Sequence, residues 1–252
     1  MDFQKSMLFT IVWLMGMTGV VSLYWLALPI PKETQLSVTT IKLLALIQPT
    51  LLLTLAVFIG GNLAPKVGLS APLTEAISQS DSWLLAIKPQ ILPGIVGGTV
   101  SGIALFFIST WWKTFLPADF LAKGEALSEN TPLLTRILYG GVTEEILLRW
   151  GLMTLLVWVL WRLLQRGQGV PSVSCFVMAI ASSALLFALG HLPLAFILST
   201  EITSSLLAYI IIGNGFFGLV AGYLYWQYGL ESAAIAHILV HIVMAVSDRL
   251  SS

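Results

Sequence analysis

Charge and cysteine are both scarce in this sequence. Lysine, arginine, aspartate and glutamate make up 10% of the 252 residues, whereas hydrophobic residues make up 57%. A soluble globular domain ordinarily has about 25% charged and about 45–50% apolar residues, so the composition excludes that class. The single cysteine, Cys175, excludes an intramolecular disulfide and a cysteine-rich zinc site. It lies in an apolar run, where a buried and inert thiol is expected.

An excess of either sign of charge is also absent. Twelve basic and twelve acidic residues give a formal net charge of zero, and no run of basic residues occurs. Because proteins that bind nucleic acid carry a basic patch or stripe, the sequence argues against nucleic acid as a partner. Lysine and arginine are divided almost evenly between the two sets of loops, so their bias assigns no cytoplasmic face.

Long apolar runs, by contrast, are abundant. A helix of roughly 20 apolar residues spans the hydrocarbon core of a bilayer, and seven such runs predict an all-α, polytopic bundle of seven to eight transmembrane helices. The eighth is a short helix at Leu192–Leu198. The seven predicted spans are Met7–Leu28, Ile41–Leu63, Ile91–Trp112, Leu133–Leu164, Val173–Leu189, Ser204–Trp226 and Ser232–Val246.

The predicted organisation is a single integral membrane domain over residues 1–252. The first apolar run is longer than the roughly 7–15 residues of a signal-peptide core, so we expect it to remain as an anchor. Two polar linkers, residues 64–83 and 116–132, are expected to form short interfacial helices. Every candidate for chemistry follows residue 139, so residues 1–129 are interpreted as N-terminal spans and amphipathic linkers.

Histidine is also scarce in this sequence. The chain has three, His191, His237 and His241, and all three lie in apolar segments, as does the pair Glu144 and Glu145. An ionisable side chain at membrane depth costs several kcal/mol, about 2.5–3.5 on insertion scales. Such a concentration therefore indicates a functional site within the bilayer.

The fourth span contains two carboxylates that helical spacing separates. Glu145 and Arg149 are four residues apart and share a helix face, whereas Glu144 points about 100° away. Arg149 can neutralise Glu145, and a bidentate ion pair is expected. Glu144 is then left to face a polar cavity.

The histidines occupy positions that suit chemistry at one site. His191 is predicted at the C-terminal end of a helix that Pro193 interrupts, four residues after Phe187. His237 and His241 are also four residues apart and share a face. Two interpretations remain open: a metal-binding pair completed by His191 or a carboxylate, or hydrogen-bond donors for an oxyanion. With Glu144 activating water, the set suits hydrolysis.

These motifs resemble those of a known family, the CPBP (CAAX protease and bacteriocin-processing, Abi) intramembrane endopeptidases, which includes the CAAX prenyl endopeptidase. The family pattern is Glu-Glu-x-x-x-Arg, then Phe-x-x-x-His, then His-x-x-x-Asn. The likeness covers about residues 130–248, the expected catalytic core. The motifs fall here on Glu144-Glu145-x-x-x-Arg149, Phe187-x-x-x-His191 and His237-x-x-x-His241.

The resemblance implies a role for each matched residue. Glu144 would activate the attacking water together with His191, while Glu145 and Arg149 would support their helix. His237 would help form the oxyanion site, and His241 takes the place of the usual asparagine. An asparagine-like donor role is our first interpretation of His241, although a histidine can instead bind metal.

The resemblance also implies the activity and the surroundings of the protein. We expect a glutamate-based endopeptidase with no cofactor, zinc being the alternative. Its expected partners are the lipid bilayer and a membrane-associated peptide or protein, prenylated or bearing a leader. The expected location is a prokaryotic plasma membrane or an organelle-type inner membrane. The alternative function is a non-proteolytic scaffold, immunity factor or assembly factor that keeps these residues as a structural network.

Overall fold

A computed structural model of the chain describes residues 3–26 and 36–251. Every regular element in these two ranges is a helix, and seven helical segments are long and apolar enough to cross a membrane. The predicted all-α, polytopic bundle is therefore confirmed. The seven segments are Phe3–Trp25, Val38–Val67, Trp83–Phe115, Leu133–Gln165, Val173–Leu198, Ser204–Tyr228 and Leu230–Ser247.

The helices are numbered in chain order. Short helices lie between the long ones, and both predicted interfacial helices are present, as α4 and α6. The predicted short helix at Leu192–Leu198 is confirmed as α9. The elements are α1 (Phe3–Ser22), α2 (Val38–Ala45), α3 (Ile47–Val67), α4 (Pro72–Gln79), α5 (Trp83–Trp112), α6 (Ala118–Asn130), α7 (Leu133–Gln165), α8 (Val173–Gly190), α9 (Leu192–Leu198), α10 (Ser204–Tyr228) and α11 (Leu230–Ser251).

The ends of two predicted spans differ from the observed ones. Helix α5 begins at Trp83 rather than Ile91 and continues through Pro89 and Pro93, because neighbouring helices and local adjustments compensate for proline inside membrane bundles. The second span consists of α2 and α3, which meet at Leu46. The predicted end of the first span, Leu28, lies outside the described residues.

Helix α7 has an unusual backbone. Arg136–Glu144 and Ile146–Met153 are π-helical, with hydrogen bonds from each residue to the fifth along the chain, whereas π-helix is usually confined to single turns, often at functional sites. Helix α1 packs closely against this segment. Thr143 Oγ1 donates a hydrogen bond to the carbonyl oxygen of Gly16 at 2.7 Å, and a Cβ on Gly19 would overlap Thr143. Small residues of α1 therefore let the two backbones approach.

A buried carboxylate joins α4 to the first turn of α11. Glu231 is 5% exposed, and its Oε1 accepts hydrogen bonds from the backbone N–H and the hydroxyl of Thr74, both at 2.9 Å. The N–H is one that the start of α4 leaves without an intrahelical partner, so Glu231 caps that helix. His241 lies ten residues further along α11, about 15 Å at 1.5 Å per residue.

Helix α6 is fastened to the segment after α9 by Asp119. Its Oδ2 accepts hydrogen bonds from the backbone N–H and the hydroxyl of Thr200, at 2.7 and 2.9 Å, and its Oδ1 accepts one from the Ser199 hydroxyl at 3.1 Å. Hydrogen bonds from Thr200 lower the pKa of Asp119 from 3.8 to about 2. The stabilisation is therefore present above about pH 4 and is lost as the pH falls through about 2.

We predict that Asp119→Asn loosens α6 without unfolding the bundle, because an amide replaces an acceptor-only carboxylate that takes the three hydrogen bonds from Ser199 and Thr200. Amide hydrogen exchange of residues 118–130 should become several-fold faster at neutral pH, while exchange in α8 and α10 stays as in wild type. Lys123→Gln, which removes only an exposed charge 3.7 Å from Asp119, is the control. Unchanged exchange in the Asp119 variant would show that these contacts do not hold α6.

Candidate active site

A single cavity collects most of the residues that the sequence singled out. Its volume is about 670 Å³, within the roughly 300–1,000 Å³ of ligand sites. Leu23 and Leu26, which follow α1, and apolar residues of α5 contribute to its wall, so the N-terminal spans help to enclose the site. The charged residues and histidines that line it are Arg136, Glu144, His191, His237 and His241.

The two adjacent glutamates have separate environments, as helical spacing predicts. Glu144 is half-buried and lines the cavity. Glu145 is 1% exposed and lies behind the cavity wall, beside the fully buried Arg149. Nε of Arg149 lies 3.1 Å from Oε2 of Glu145.

The predicted bidentate geometry of this ion pair is wrong. Only Nε of Arg149 approaches the carboxylate, and its two Nη atoms are buried without a hydrogen-bond partner among the described residues. The second carboxylate oxygen is used elsewhere, because His237 Nδ1 lies 2.8 Å from Oε1 of Glu145. The guanidinium instead lies 5.5 Å from the ring centroid of Phe187, a cation–π contact. The Glu145 carboxylate thus contacts Arg149 of its own helix, α7, and His237 of α11.

The contact with Glu145 fixes the ring of His237. An ionised carboxylate only accepts hydrogen bonds, so Nδ1 of His237 carries a proton and donates it. His237 is 4% exposed, yet it lines the cavity. Nε2 is consequently the nitrogen that remains for a substrate.

His191 stands at the end of α8, as predicted. Its Nδ1 donates a hydrogen bond to the carbonyl oxygen of Phe187 at 2.8 Å, since a carbonyl oxygen can only accept. The Phe187 ring meets the imidazole edge to face, with centroids 4.6 Å apart. A neutral His191 therefore keeps Nε2 unprotonated and able to accept a proton or a hydrogen bond from water.

His237 and His241 do share a face of α11. Their rings are stacked, with centroids 4.8 Å apart and planes inclined by 15°. Nε2 of His241 is buried and has no hydrogen-bond partner in the described part of the chain. It lies against α7, where a Cβ on Gly140 would overlap it. Nδ1 is therefore the nitrogen of His241 that remains for donation.

The histidines do not form a preassembled metal site. Among residues 3–26 and 36–251, no three histidine, cysteine, aspartate or glutamate side chains are grouped so that they could hold a metal ion. His191 and His237 each use Nδ1 in a hydrogen bond within the protein, so Nε2 is the nitrogen of each ring that could bind a metal. The zinc alternative would therefore need side chains to move.

A comparison with protein families finds one match. Residues 128–243 match the family described as type II CAAX prenyl endopeptidase Rce1-like. This segment is similar to an Rce1-like domain. It includes all seven residues of the three sequence motifs, and the match confirms the family resemblance. No curated protein and no solved structure matches the chain.

The matched segment, which is similar to CAAX prenyl endopeptidases, and the seven apolar segments together indicate an integral, multi-pass membrane protein. Residues 1–127, which lie outside the matched segment, contribute α1, α3, α5 and most of α6. Since α5, α6 and the turn that follows α1 also line the cavity, the candidate site is completed by a part of the chain that carries none of the family motifs.

Sequence reasoning missed several polar residues of the cavity, Asn214 and Arg136 among them. Asn214 donates a hydrogen bond to the carbonyl oxygen of Ile210, at 2.9 Å, within a continuous α10. Arg136 lies in the same wall as Glu144, eight residues before it. Its isolation at the start of an otherwise apolar span was the available signal.

We predict that Glu145→Gln destabilises the protein strongly and that Glu144→Gln does not. Neutralising Glu145 leaves Arg149 buried without a counter-charge, which costs about 3–5 kcal/mol when one partner of a buried pair is removed. Glu144 faces the cavity and forms no ion pair among the described residues. Thermal unfolding in detergent measures both variants, and equal melting temperatures would contradict this division.

We also predict that Gly140→Ala disturbs the site through His241. The added methyl group would overlap the buried imidazole, and overpacking of this kind costs about 1–3 kcal/mol. Gly124→Ala is the matched control, because Gly124 also lines the cavity but a Cβ there has open space within 4 Å. Thermal unfolding should separate the two variants. If Gly140→Ala melts like wild type, His241 does not pack at this position.

Proposed function

We propose that the cavity hydrolyses a peptide bond of a membrane-associated substrate, with Glu144 as the general base. The observation that carries this proposal is the convergence of Glu144 and all three histidines on one cavity of an Rce1-like domain. A substrate of this kind is a prenylated, CAAX-type protein or a precursor with a leader. Its chain would reach the cavity from the membrane or from the membrane surface.

Glu144 and His191 would activate water together. The Glu144 carboxylate takes a proton from the water, and the oxygen adds to the carbonyl carbon of the scissile bond. Unprotonated Nε2 of His191 accepts the second hydrogen bond of that water and holds it in position. The proton then passes from Glu144 to the departing nitrogen, so the products are a carboxylic acid and an amine.

His237 and His241 would stabilise the oxyanion of the tetrahedral intermediate, which exists between the addition of water and the departure of the amine. His237 already donates from Nδ1 to Glu145, so it donates to the oxyanion only from a protonated Nε2, as an imidazolium that keeps its hydrogen bond to the Glu145 carboxylate. His241 donates from Nδ1 as a neutral ring. Removal of one such donor typically reduces turnover by about 10²–10³-fold.

The proposed base is tested by Glu144→Gln. We expect cleavage of prenylated-tail and leader peptides to fall by about 10²–10⁴-fold, the usual contribution of a general base, with an unchanged melting temperature. Glu129→Gln, the same substitution on an exposed residue of α6, should retain activity. Full cleavage by Glu144→Gln would reject the mechanism.

A chelator arm tests the zinc alternative in the same assay. Cleavage that survives the chelator and is lost in Glu144→Gln supports a glutamate peptidase. Cleavage that the chelator abolishes and zinc restores would instead assign the histidines as metal ligands. Absence of cleavage by wild type across the peptides would favour the non-proteolytic scaffold.

A further inference from the structure

Helix α6 forms a single layer between the cavity and the outside of the bundle. Gly124, Leu127 and Ser128 on its inner face line the cavity, whereas Ala126 and Glu129 on the opposite face are exposed. The helix lies between the third and fourth membrane-spanning segments and outside both of them. It therefore forms a wall of the cavity at one end of the bundle.

This layer is only weakly packed. None of the thirteen residues of α6, all of which the structure describes, is buried. Even its inner face is only half-buried, although it carries apolar residues at helical spacing, among them Phe120, Leu121 and Leu127. Segments with few buried apolar contacts are those that open locally while the rest of a protein stays folded. We therefore expect α6 to separate from the bundle more easily than the spans around it.

The side of α6 that faces α9 borders the cavity. The two helices are in contact, and Leu194 and Leu198 of α9 line the cavity together with Gly124 and Leu127 of α6. Separation of α6 from α9 would thus open the cavity at the membrane surface where α6 lies.

Hydrogen bonds hold α6 near both of its ends. Near its start, Asp119 accepts three hydrogen bonds from Ser199 and Thr200, which follow α9. We call these three hydrogen bonds the latch. Near its end, Ser128 accepts hydrogen bonds from Arg136, eight residues further along the chain. The second contact is local and can persist when α6 turns about residues 131–132, whereas the latch must break.

We infer that α6 is a lid, which separates from α9 to admit the substrate once the latch has broken. This inference rests on the proposed peptidase function and adds a conformational step to it. Closure of the lid over the bound peptide would shield Glu144 from bulk water, and reopening would release the products. The peptide part of the substrate would enter at the membrane surface, while an attached apolar group stays in the bilayer.

A disulfide across the latch tests this lid. Asp119→Cys/Thr200→Cys is combined with Cys175→Ala, so that the two new cysteines are the only ones in the chain. A short cross-link suits this pair, because the side-chain oxygens of Asp119 and Thr200 are 2.9 Å apart. Oxidation should lower kcat/KM about tenfold or more, since apparent affinity falls with the fraction of molecules that are open. Reduction should restore cleavage, and each single-cysteine variant, treated alike, should stay active.

Labelling of a cysteine inside the cavity gives a readout that needs no turnover. Val240 lines the cavity and is 6% exposed, so Val240→Cys, made with Cys175→Ala, is the probe for a bulky polar maleimide. Oxidation of the latch pair should slow this labelling about tenfold or more, for the same reason. Asp119→Asn, which weakens the latch, should instead make it several-fold faster. Lys123→Gln is again the control and should label at the unmodified rate.

The two readouts separate the lid from the peptidase function. Equal labelling in all of these proteins, or full cleavage by the oxidised protein, would overturn the lid and leave the peptidase function intact. Labelling that is slowed by oxidation and made faster by Asp119→Asn would support the lid even if no peptide is cleaved.

Discussion

The site depends on one buried carboxylate, that of Glu145. One oxygen lies 3.1 Å from Arg149 of the same helix, and the other lies 2.8 Å from His237 of α11. The same arginine lies over the Phe187 ring of α8, and the Phe187 carbonyl oxygen holds His191. Three helices are therefore oriented around one charge. A buried ion pair contributes little net stability, but removal of one member is costly, so this network specifies geometry more than it adds stability.

Close packing of α11 against α7 gives the two adjacent glutamates different surroundings. Glu144 lines the cavity, while Glu145 is enclosed between α7 and α11. Gly140 and Gly141, which precede the glutamates, have no side chains that would keep α11 at a distance. A Cβ on Gly141 would overlap Ile238, and one on Gly140 would overlap His241. Close approach of α11 is what brings its histidines to the carboxylates. The arrangement of the candidate site therefore depends on the close helix packing that these glycines permit.

The sequence predicts those features that depend on local spacing. The lengths of the apolar runs locate all seven spans. Spacing of four residues predicts that Glu145 lies beside Arg149 and that His237 and His241 share a helix face. Contacts between distant residues were not predictable, because nothing local marks them: Asp119 meets Thr200 across 81 positions, and Thr74 meets Glu231 across 157. The bidentate pair was predicted wrongly because helical spacing gives no sign that a histidine 92 residues away takes the second oxygen of Glu145.

In the proposed mechanism, the stacked rings of α11 let a histidine take the part that asparagine has in the family pattern. Two imidazolium ions 4.8 Å apart would repel each other strongly in a site of low dielectric constant. His237 contacts the carboxylate of Glu145, whereas the buried Nε2 of His241 has no acceptor among the described residues that would stabilise a second proton. We therefore propose that His241 acts as a neutral ring that donates one N–H. An asparagine amide can likewise direct a neutral N–H at an oxyanion, so the proposed role keeps the charge of the position while changing its shape.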